Sequence, residues 1–168
     1  MEFRNMRRAK QELPTEESLK ILENSTAGVL AVLGDGDYPY AVPLSFVYHE
    51  GKIYFHSARE GHKLDALRHS AKASFCVIDQ DEIVPEEYTT YFRSVIAFGQ
   101  AEVVTAPEEQ RNVLLWLAEK YYPADSPAHR MKHATGTEAS TAVIRLTIEH
   151  LTGKEAKELM QQRKAEEK

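Results

Sequence analysis

The residues with the clearest chemical potential form the run Phe55-His56-Ser57-Ala58-Arg59-Glu60-Gly61-His62-Lys63. The pattern predicts a strand that ends at His56-Ser57, a turn at Gly61 and a helix that begins near His62. The first N–H groups of a helix are free and its dipole is positive there, so a helix start binds anions. The Lys63 ammonium, the Ser57 hydroxyl and the His62 ring add donors. The run therefore predicts a phosphate cradle, with a solvated surface lysine as the alternative interpretation.

A second pair of residues suits metal ligation by spacing alone. His129 and His133 stand four residues apart and would share one face of a helix. The residues between them do not form an HExxH motif, and no cysteine or carboxylate partner is expected beside them. We interpret both as polar surface histidines and predict no metal site.

Two further segments suit a flat ligand. The predicted second strand, residues 38–48, contains Pro43, which cannot donate to a ladder, so this strand is expected at an edge, a bulge or a rim. Its unpaired backbone groups would match a planar ligand with polar atoms of its own. The run from Tyr88 to Ser94 gathers aromatic rings, hydroxyls and one guanidinium, which can line a pocket for such a ring. An ordinary edge strand and an ordinary aromatic strand are the alternatives.

The elements that must position these residues are mostly strands. Short apolar or alternating runs bounded by turn residues predict an antiparallel fold that is mainly β with peripheral helices, a six-stranded β-barrel. A polar loop is expected over residues 80–90, and residues 124–138 are weakly patterned. The predicted strands span residues 27–33, 38–48, 52–57, 72–79, 91–104 and 141–148, and the predicted helices span 15–24, 61–70, 107–121 and 154–164.

Composition narrows the class of protein. The 168 residues are 42% hydrophobic and 28% charged, which is globular composition. A net charge of -5 and a pI near 5.8 argue against a nucleic-acid binder. The single cysteine, Cys76, excludes an internal disulfide and sits on a predicted strand where nothing lowers its pKa, so we expect it to be structural.

No apolar run approaches the length of a membrane span and no signal peptide is visible, so we expect a cytoplasmic protein without a membrane partner. Residues 1–168 are predicted to form a single domain, with a basic arm over 1–12 and a C-terminal helix over 152–168. The arm is either a solvated tail or a segment that wraps a partner subunit or an anionic ligand.

Two runs carry a family resemblance, YPYAVPLSFVYHEGKIYFHSAREGHKLDALR and YTTYFRSVIAFGQAEVV. They resemble the FMN-binding split-barrel proteins related to pyridoxamine 5'-phosphate oxidase, and within that group the 5-nitroimidazole-resistance (Nim) proteins most of all. The resemblance covers roughly residues 6 to 150 and is most specific at FHSAxxGxK. It implies a six-stranded antiparallel split β-barrel that works as a homodimer, with FMN in a groove at the dimer interface.

The resemblance also implies the site residues. His56 faces the flavin and the substrate and is the expected catalytic residue. The flavin contacts it implies are Val42, Pro43, Leu44, Ser45 and Phe46 along the ring, Ser57, Ala58, Gly61, His62 and Lys63 at the phosphate, and Arg93, Ser94 and Val95 on a further strand.

The function implied is reduction of small electrophiles such as nitroaromatic compounds, with a nicotinamide nucleotide as the donor. The C-terminal segment contains no tryptophan, unlike the oxidases, which argues against vitamin B6 oxidation. The alternative is a non-catalytic module of the same fold that holds flavin or haem.

Overall fold

The computed structural model describes residues 2–166, and in them seven strands form one antiparallel sheet with helices at its periphery. The prediction of a mainly β fold with peripheral helices is confirmed. The strands are β1 (Ala27–Leu33), β2 (Pro39–Ser45), β3 (Val47–His49), β4 (Lys52–Ala58), β5 (Lys72–Val84), β6 (Thr89–Val103) and β7 (Thr141–Glu155). The helices are α1 (Thr15–Asn24), α2 (His62–His69), α3 (Pro107–Tyr121), α4 (Pro127–Thr137) and α5 (Lys157–Glu166).

The predicted count of six strands was wrong, because the second predicted strand breaks at Phe46. Within the described residues the strand order is β2-β1-β5-β6-β7-β4-β3, without a ladder that closes β3 onto β2. The two halves of the predicted strand therefore lie at opposite edges of the sheet, joined by one residue. Phe46 is fully buried, so the chain turns inward where it passes from one edge to the other.

The polar segment 80–90 pairs as a hairpin, so the prediction of a loop was wrong. β5 continues to Val84 and pairs with β6 from Gln80 opposite Arg93 to Val84 opposite Thr89. A register shift between Ile78 and Gln80 allows the pairing to continue past Asp79. Apolar alternation could not reveal these residues as strands, since neither face of this part of the hairpin is buried.

The C-terminal part also differs from expectation. β7 runs to Glu155, so the final helix begins at Lys157 rather than at residue 152, and residues 167–168 of the predicted helix lie outside the described range. Helix α4 occupies the weakly patterned segment; Ser126 caps it by accepting the His129 N–H at 3.2 Å. Only Ala134 of α4 is buried, which explains why no apolar stripe marks this helix.

Three aromatic rings form the centre of the core and connect distant elements. Phe46, Phe55 and Phe75 are fully buried. The ring of Phe75 lies 4.8 Å from that of Phe46 and 5.0 Å from that of Phe55, between centroids. These contacts hold β4 and β5 against the junction between β2 and β3.

The N-terminal arm lies along its own sheet. The Leu13 N–H donates to the Gly153 carbonyl at 3.0 Å, and the Gln11 side chain donates to the Glu155 carbonyl at 3.1 Å. Nearer its start, Phe3 stacks on His150 of β7 with 4.7 Å between ring centroids. Residues 2–12 are thus docked on β7 rather than being a free tail, while their arginines and lysine stay exposed; residue 1 lies outside the described range.

Gly99 sits at a register shift between β6 and β7, where the two backbones approach closely. A Cβ at this position would overlap the carbonyl oxygen of Thr147. We expect Gly99→Ala to lower the free energy of unfolding in urea by about 3 kcal/mol, since backbone atoms must move apart to admit the methyl group.

Gly136→Ala is the matched control, because a Cβ there would meet nothing within 4 Å. In helix α4 this change should raise stability by about 0.5–1 kcal/mol. Equal effects of the two variants would show that the close approach at Gly99 is not a constraint on the fold.

Candidate functional site

The chemistry-bearing run forms the end of β4, a turn and the start of α2, as predicted. Phe55 is buried, His56 is exposed and Ser57 is partly buried, so successive side chains alternate between the two faces of the sheet. His56 and Ser57 therefore point to opposite sides. The structure ends β4 at Ala58 and begins α2 at His62.

Gly61 determines how the turn enters the helix. Its φ of 126° and ψ of 168° belong to a region that only glycine adopts readily, although a Cβ there would meet nothing within 4 Å. The constraint is thus the backbone conformation, which leaves the N–H groups of His62 and Lys63 outside the helical bonds. Lys63 is half-buried, and within residues 2–166 no carboxylate forms an ion pair with it.

The side chain of His62 contacts β2 and the turn that precedes it. Its ring stacks on Tyr40 of β2 with 4.1 Å between centroids. Its Nε2 accepts the backbone N–H of Asp35 at 3.4 Å, which places the proton of a neutral ring on Nδ1. These contacts hold the start of β2 beside the start of α2.

β2 is an edge strand, as Pro43 predicted. Pro43 pairs with Val29 of β1, and the other side of β2 has no hydrogen-bonded neighbour in the described sheet. Val42 and Leu44 pack against the core, whereas Pro43 and Ser45 point outward. Along its outer side the strand therefore offers small side chains and free backbone groups.

The end of β2 is fixed by the last turn of α3. The Tyr121 hydroxyl accepts the Phe46 N–H at 2.9 Å and donates to the carbonyl oxygen of Thr26. The Lys120 ammonium lies 4.3 Å from the centroid of the Phe46 ring and 3.4 Å from the Leu22 carbonyl oxygen. Burial lowers the pKa of Lys120 to about 8.

A cavity of about 350 Å³ lies between the outward face of the sheet and helices α3 and α4. It brings together two of the predicted site residues, Ser45 and His56, from strands near opposite edges of the sheet. Sequence reasoning missed its other walls. They are Leu114, Leu117, Ala118 and Tyr121 of α3, His133 and Thr137 of α4, and Thr141 of β7.

The predicted residues of β6 lie elsewhere. Ser57 pairs with Ala142 of β7, whereas Ser94 pairs with Lys154 of the same strand. Their partners Ala142 and Lys154 are therefore separated by roughly 40 Å along β7, at about 3.3 Å per residue. One chain therefore does not bring Arg93, Ser94 and Val95 to the turn at Gly61, and Val95 is fully buried in the core.

Arg93 belongs to a charged cluster at the far end of β7. Its guanidinium lies 3.6 Å from the carboxylate of Glu155 and 3.8 Å from that of Asp79. Glu155 is fully buried, and its carboxylate also lies 2.7 Å from the guanidinium of Arg163 in α5. These contacts fasten the C-terminal helix to β6.

The two histidines of α4 have different surroundings. The Nδ1 atom of His129 lies 2.8 Å from the carboxylate of Asp125, so the expectation that no carboxylate stands beside the pair was wrong. The hydrogen bond from His129 lowers the pKa of Asp125. His133 faces the cavity. Within residues 2–166, no three His, Cys, Asp or Glu side chains are placed to hold a metal ion.

Cys76 is partly exposed on β5, and burial raises the pKa of its thiol, as a structural cysteine requires. Among the described helices, none is both long and apolar enough to cross a membrane.

The sequence and fold together define the family. The family model for pyridoxamine 5'-phosphate oxidase matches residues 14–155. The chain therefore belongs to the pyridoxamine 5'-phosphate oxidase family. No protein with a curated description matches the sequence.

Three solved structures with this fold are informative. A putative 5-nitroimidazole antibiotic resistance protein from Bacteroides thetaiotaomicron is 20% identical with a TM-score of 0.72, over 85% of each chain. A flavocytochrome from Azotobacter vinelandii is 20% identical with a TM-score of 0.74, over 90% of this chain and 72% of the other. An FAD-binding protein from Mesorhizobium loti is 26% identical with a TM-score of 0.56, over 86% of this chain and 94% of the other.

The half-buried Lys120 side chain predicts a pH dependence of stability. Because its folded pKa of about 8 lies below the ordinary lysine value of 10.5, the unfolded chain binds more protons between these pH values. The free energy of unfolding should therefore gain a rising contribution from Lys120 as the pH increases from about 8 to 10.5. Urea titrations should show this contribution in the native protein and in Lys132→Met, which changes an exposed lysine of α4. Lys120→Met should lose it, and parallel pH profiles of all three proteins would contradict the assignment.

Proposed function

We propose that this protein binds FMN and acts as a cytoplasmic reductase of small electrophiles such as nitroaromatic (5-nitroimidazole) compounds, with a nicotinamide nucleotide as electron donor. The observation that carries the proposal is the position of β2 beside the β4–α2 turn. Tyr40, near the start of β2, stacks on His62, and Ser45, at its end, shares a cavity with His56. A free strand edge thus runs between a helix start and an exposed histidine.

The residues present fit a flavin. The helix start at Gly61 offers free N–H groups, and Lys63 supplies a positive charge without a carboxylate partner in the described chain. These groups would hold the phosphate, with Ser57 and Ala58 beside them. The ring would lie along residues 42–45, where the unpaired edge of β2 meets its polar atoms, while the Phe46 N–H that follows is already bonded to Tyr121.

Bound flavin supplies the hydride or electron pair that reduces the electrophile. The protein's own part is to position the substrate and to exclude water from it. His56 is exposed on the outward face of β4 and lines the cavity, so its imidazole can hydrogen-bond the acceptor group of a substrate and donate a proton to it. Leu114, Leu117 and Ala118 of α3 give the cavity an apolar wall for a flat molecule.

Two of the similar solved structures favour a flavin as the ligand. The Mesorhizobium loti structure is described as FAD-binding, and the Azotobacter vinelandii structure as a flavocytochrome. The second description also favours the alternative function, a non-catalytic module that holds flavin or haem.

The visible spectrum of the purified protein separates these functions. Flavin absorption, release of FMN on denaturation and turnover of NADH or NADPH with a nitroaromatic acceptor would support the proposal. Bound flavin without turnover would favour the binding module, and a haem spectrum would overturn the assignment of FMN.

The predicted flavin contacts lie in two separate places of one chain, and a site shared by the two subunits of a homodimer would bring them together. Arg93 and Ser94 lie far from the turn within one chain, so they reach a flavin only if a partner supplies them. Apolar residues are exposed on and beside the β5–β6 hairpin, with Ile78 66%, Ile83 74% and Tyr88 98% exposed. We expect sedimentation to show a dimer, which Ile83→Lys should weaken together with flavin affinity. A monomer that binds flavin tightly would contradict the shared site.

Lys63→Ala should weaken FMN binding about ten- to a hundredfold, because a hydrogen bond to a charged group contributes about 1.5–3 kcal/mol. Fluorescence titration of the flavin-free protein with FMN measures the change. Lys157→Ala, an exposed lysine at the start of α5, is the control and should bind FMN normally. Unchanged affinity of the Lys63 variant would remove this residue from the phosphate site.

His56→Ala should leave FMN bound and lower the rate of acceptor reduction, because the imidazole lines the cavity without supporting the core. Bound flavin and turnover are measured on the same sample. His69→Ala changes an exposed histidine at the end of α2 and should preserve both. Full turnover at full flavin occupancy would exclude a catalytic His56, while loss of both would indicate a structural role.

A further inference from the structure

The seven histidines of the chain fall into two groups according to their contacts. In four of them the imidazole has a partner in the described chain: His49 stacks on Trp116, His62 on Tyr40 and His150 on Phe3, while His129 is hydrogen-bonded to Asp125. For the rings of His56, His69 and His133 the described residues offer no hydrogen bond, ion pair or stacking partner. Two of these three, His56 and His133, line the same cavity.

The rest of that cavity carries no fixed charge. None of its described lining residues is a lysine, arginine, aspartate or glutamate. The hydroxyls of Tyr121 and Thr137 already bond to backbone carbonyls of Thr26 and His133. Hydrogen-bonding capacity therefore remains mainly on the two imidazoles, with the hydroxyls of Ser45 and Thr141 nearby.

The wall that carries His133 is anchored to the phosphate-side turn. Arg59, which follows β4, donates to the backbone carbonyl of Glu138 at 2.9 Å, just beyond the end of α4. Arg111 of α3 donates to the carboxylate of Glu138 at 2.6 Å. These contacts connect the end of α4 to both β4 and α3, so the elements that carry His133 and His56 are joined by hydrogen bonds.

We infer that this cavity binds a small uncharged molecule with hydrogen-bonding groups at two positions, held between His56 and His133. A neutral imidazole offers one donor and one acceptor, so each ring can engage either kind of group. A dianionic phosphate ester would lose its hydration there without meeting a fixed cation, which is costly. His133 is thus a second substrate-contacting residue. The inference rests on the proposed function for its assignment of the ligand as substrate.

Isonicotinamide is a suitable probe, because it is neutral, soluble and redox-silent and carries polar groups at opposite ends. We expect its addition to the protein as isolated to shift the ring C–H signals of His56 and His133 in the spectrum of histidine-labelled protein, and to leave that of His69 unchanged. Phenyl phosphate, with a ring of the same size and a dianionic group, should shift neither cavity signal. No shift with isonicotinamide, or tighter binding of phenyl phosphate, would overturn the inference.

Variants test the role of His133 directly. His133→Leu should weaken isonicotinamide binding about three- to tenfold, the loss of one hydrogen bond between neutral groups, and His133→Gln should restore part of it. His69→Leu is the matched control and should bind as the native protein does. Equal affinity of His133→Leu and the native protein would exclude His133 from the site.

Flavin occupancy measured on each sample separates the two proposals. A flavin-free protein whose His56 and His133 signals both respond to the probe would support the cavity and count against the proposed function. A flavin-loaded protein in which the His133 signal stays still would overturn only the inference about the cavity.

Discussion

The structure depends on one connection, the single residue between β2 and β3. These strands are consecutive in the chain yet lie at opposite edges of the sheet, so the sheet must curl until both edges meet at Phe46. The buried ring of Phe46 packs against Phe75, and its backbone bonds to Tyr121. Burying a Phe side chain contributes about 1.5–3 kcal/mol, and the backbone contacts prevent a buried N–H from going unpaired.

This curl is what creates the candidate site. Ser45 belongs to the strand at one edge and His56 to the strand next to the other edge, and they meet only because the edges converge. The same geometry leaves the outer side of β2 without a strand partner, so its backbone groups stay available to a ligand. Helix α3 both pins the junction and forms the apolar wall of the cavity.

The sequence predicted those features that depend on residues close together in the chain. Alternation around Phe55 and the glycine before His62 gave the strand, the turn and the helix start, and Pro43 gave the edge strand. The cavity was not predictable in this way, since α4, the part of its wall that carries His133, has one buried residue, Ala134, and no apolar stripe. The break at Phe46 was equally unpredictable. An apolar residue within an apolar run looks the same in the sequence whether the strand continues or the chain passes to the other edge of the sheet. The separation of Arg93 from the turn follows from the length of β7, which continues through Gly153 to Glu155, whereas the predicted strand ended at residue 148.

The position of β7 in the sheet has a consequence for how the chain acquires its structure. In the described sheet, β3 and β4 are hydrogen-bonded to the other strands through β7, which follows all six of them in the chain and lies between β6 and β4. On the ribosome, β1, β2, β5 and β6 can pair as soon as they emerge, but the β3–β4 hairpin has no second neighbour until residues 141–155 arrive. Assembly of the sheet is therefore a late and non-local event, of the kind that slows folding. Until then β4, which carries His56, has an unpaired edge, and such an edge is prone to pair with strands of other chains.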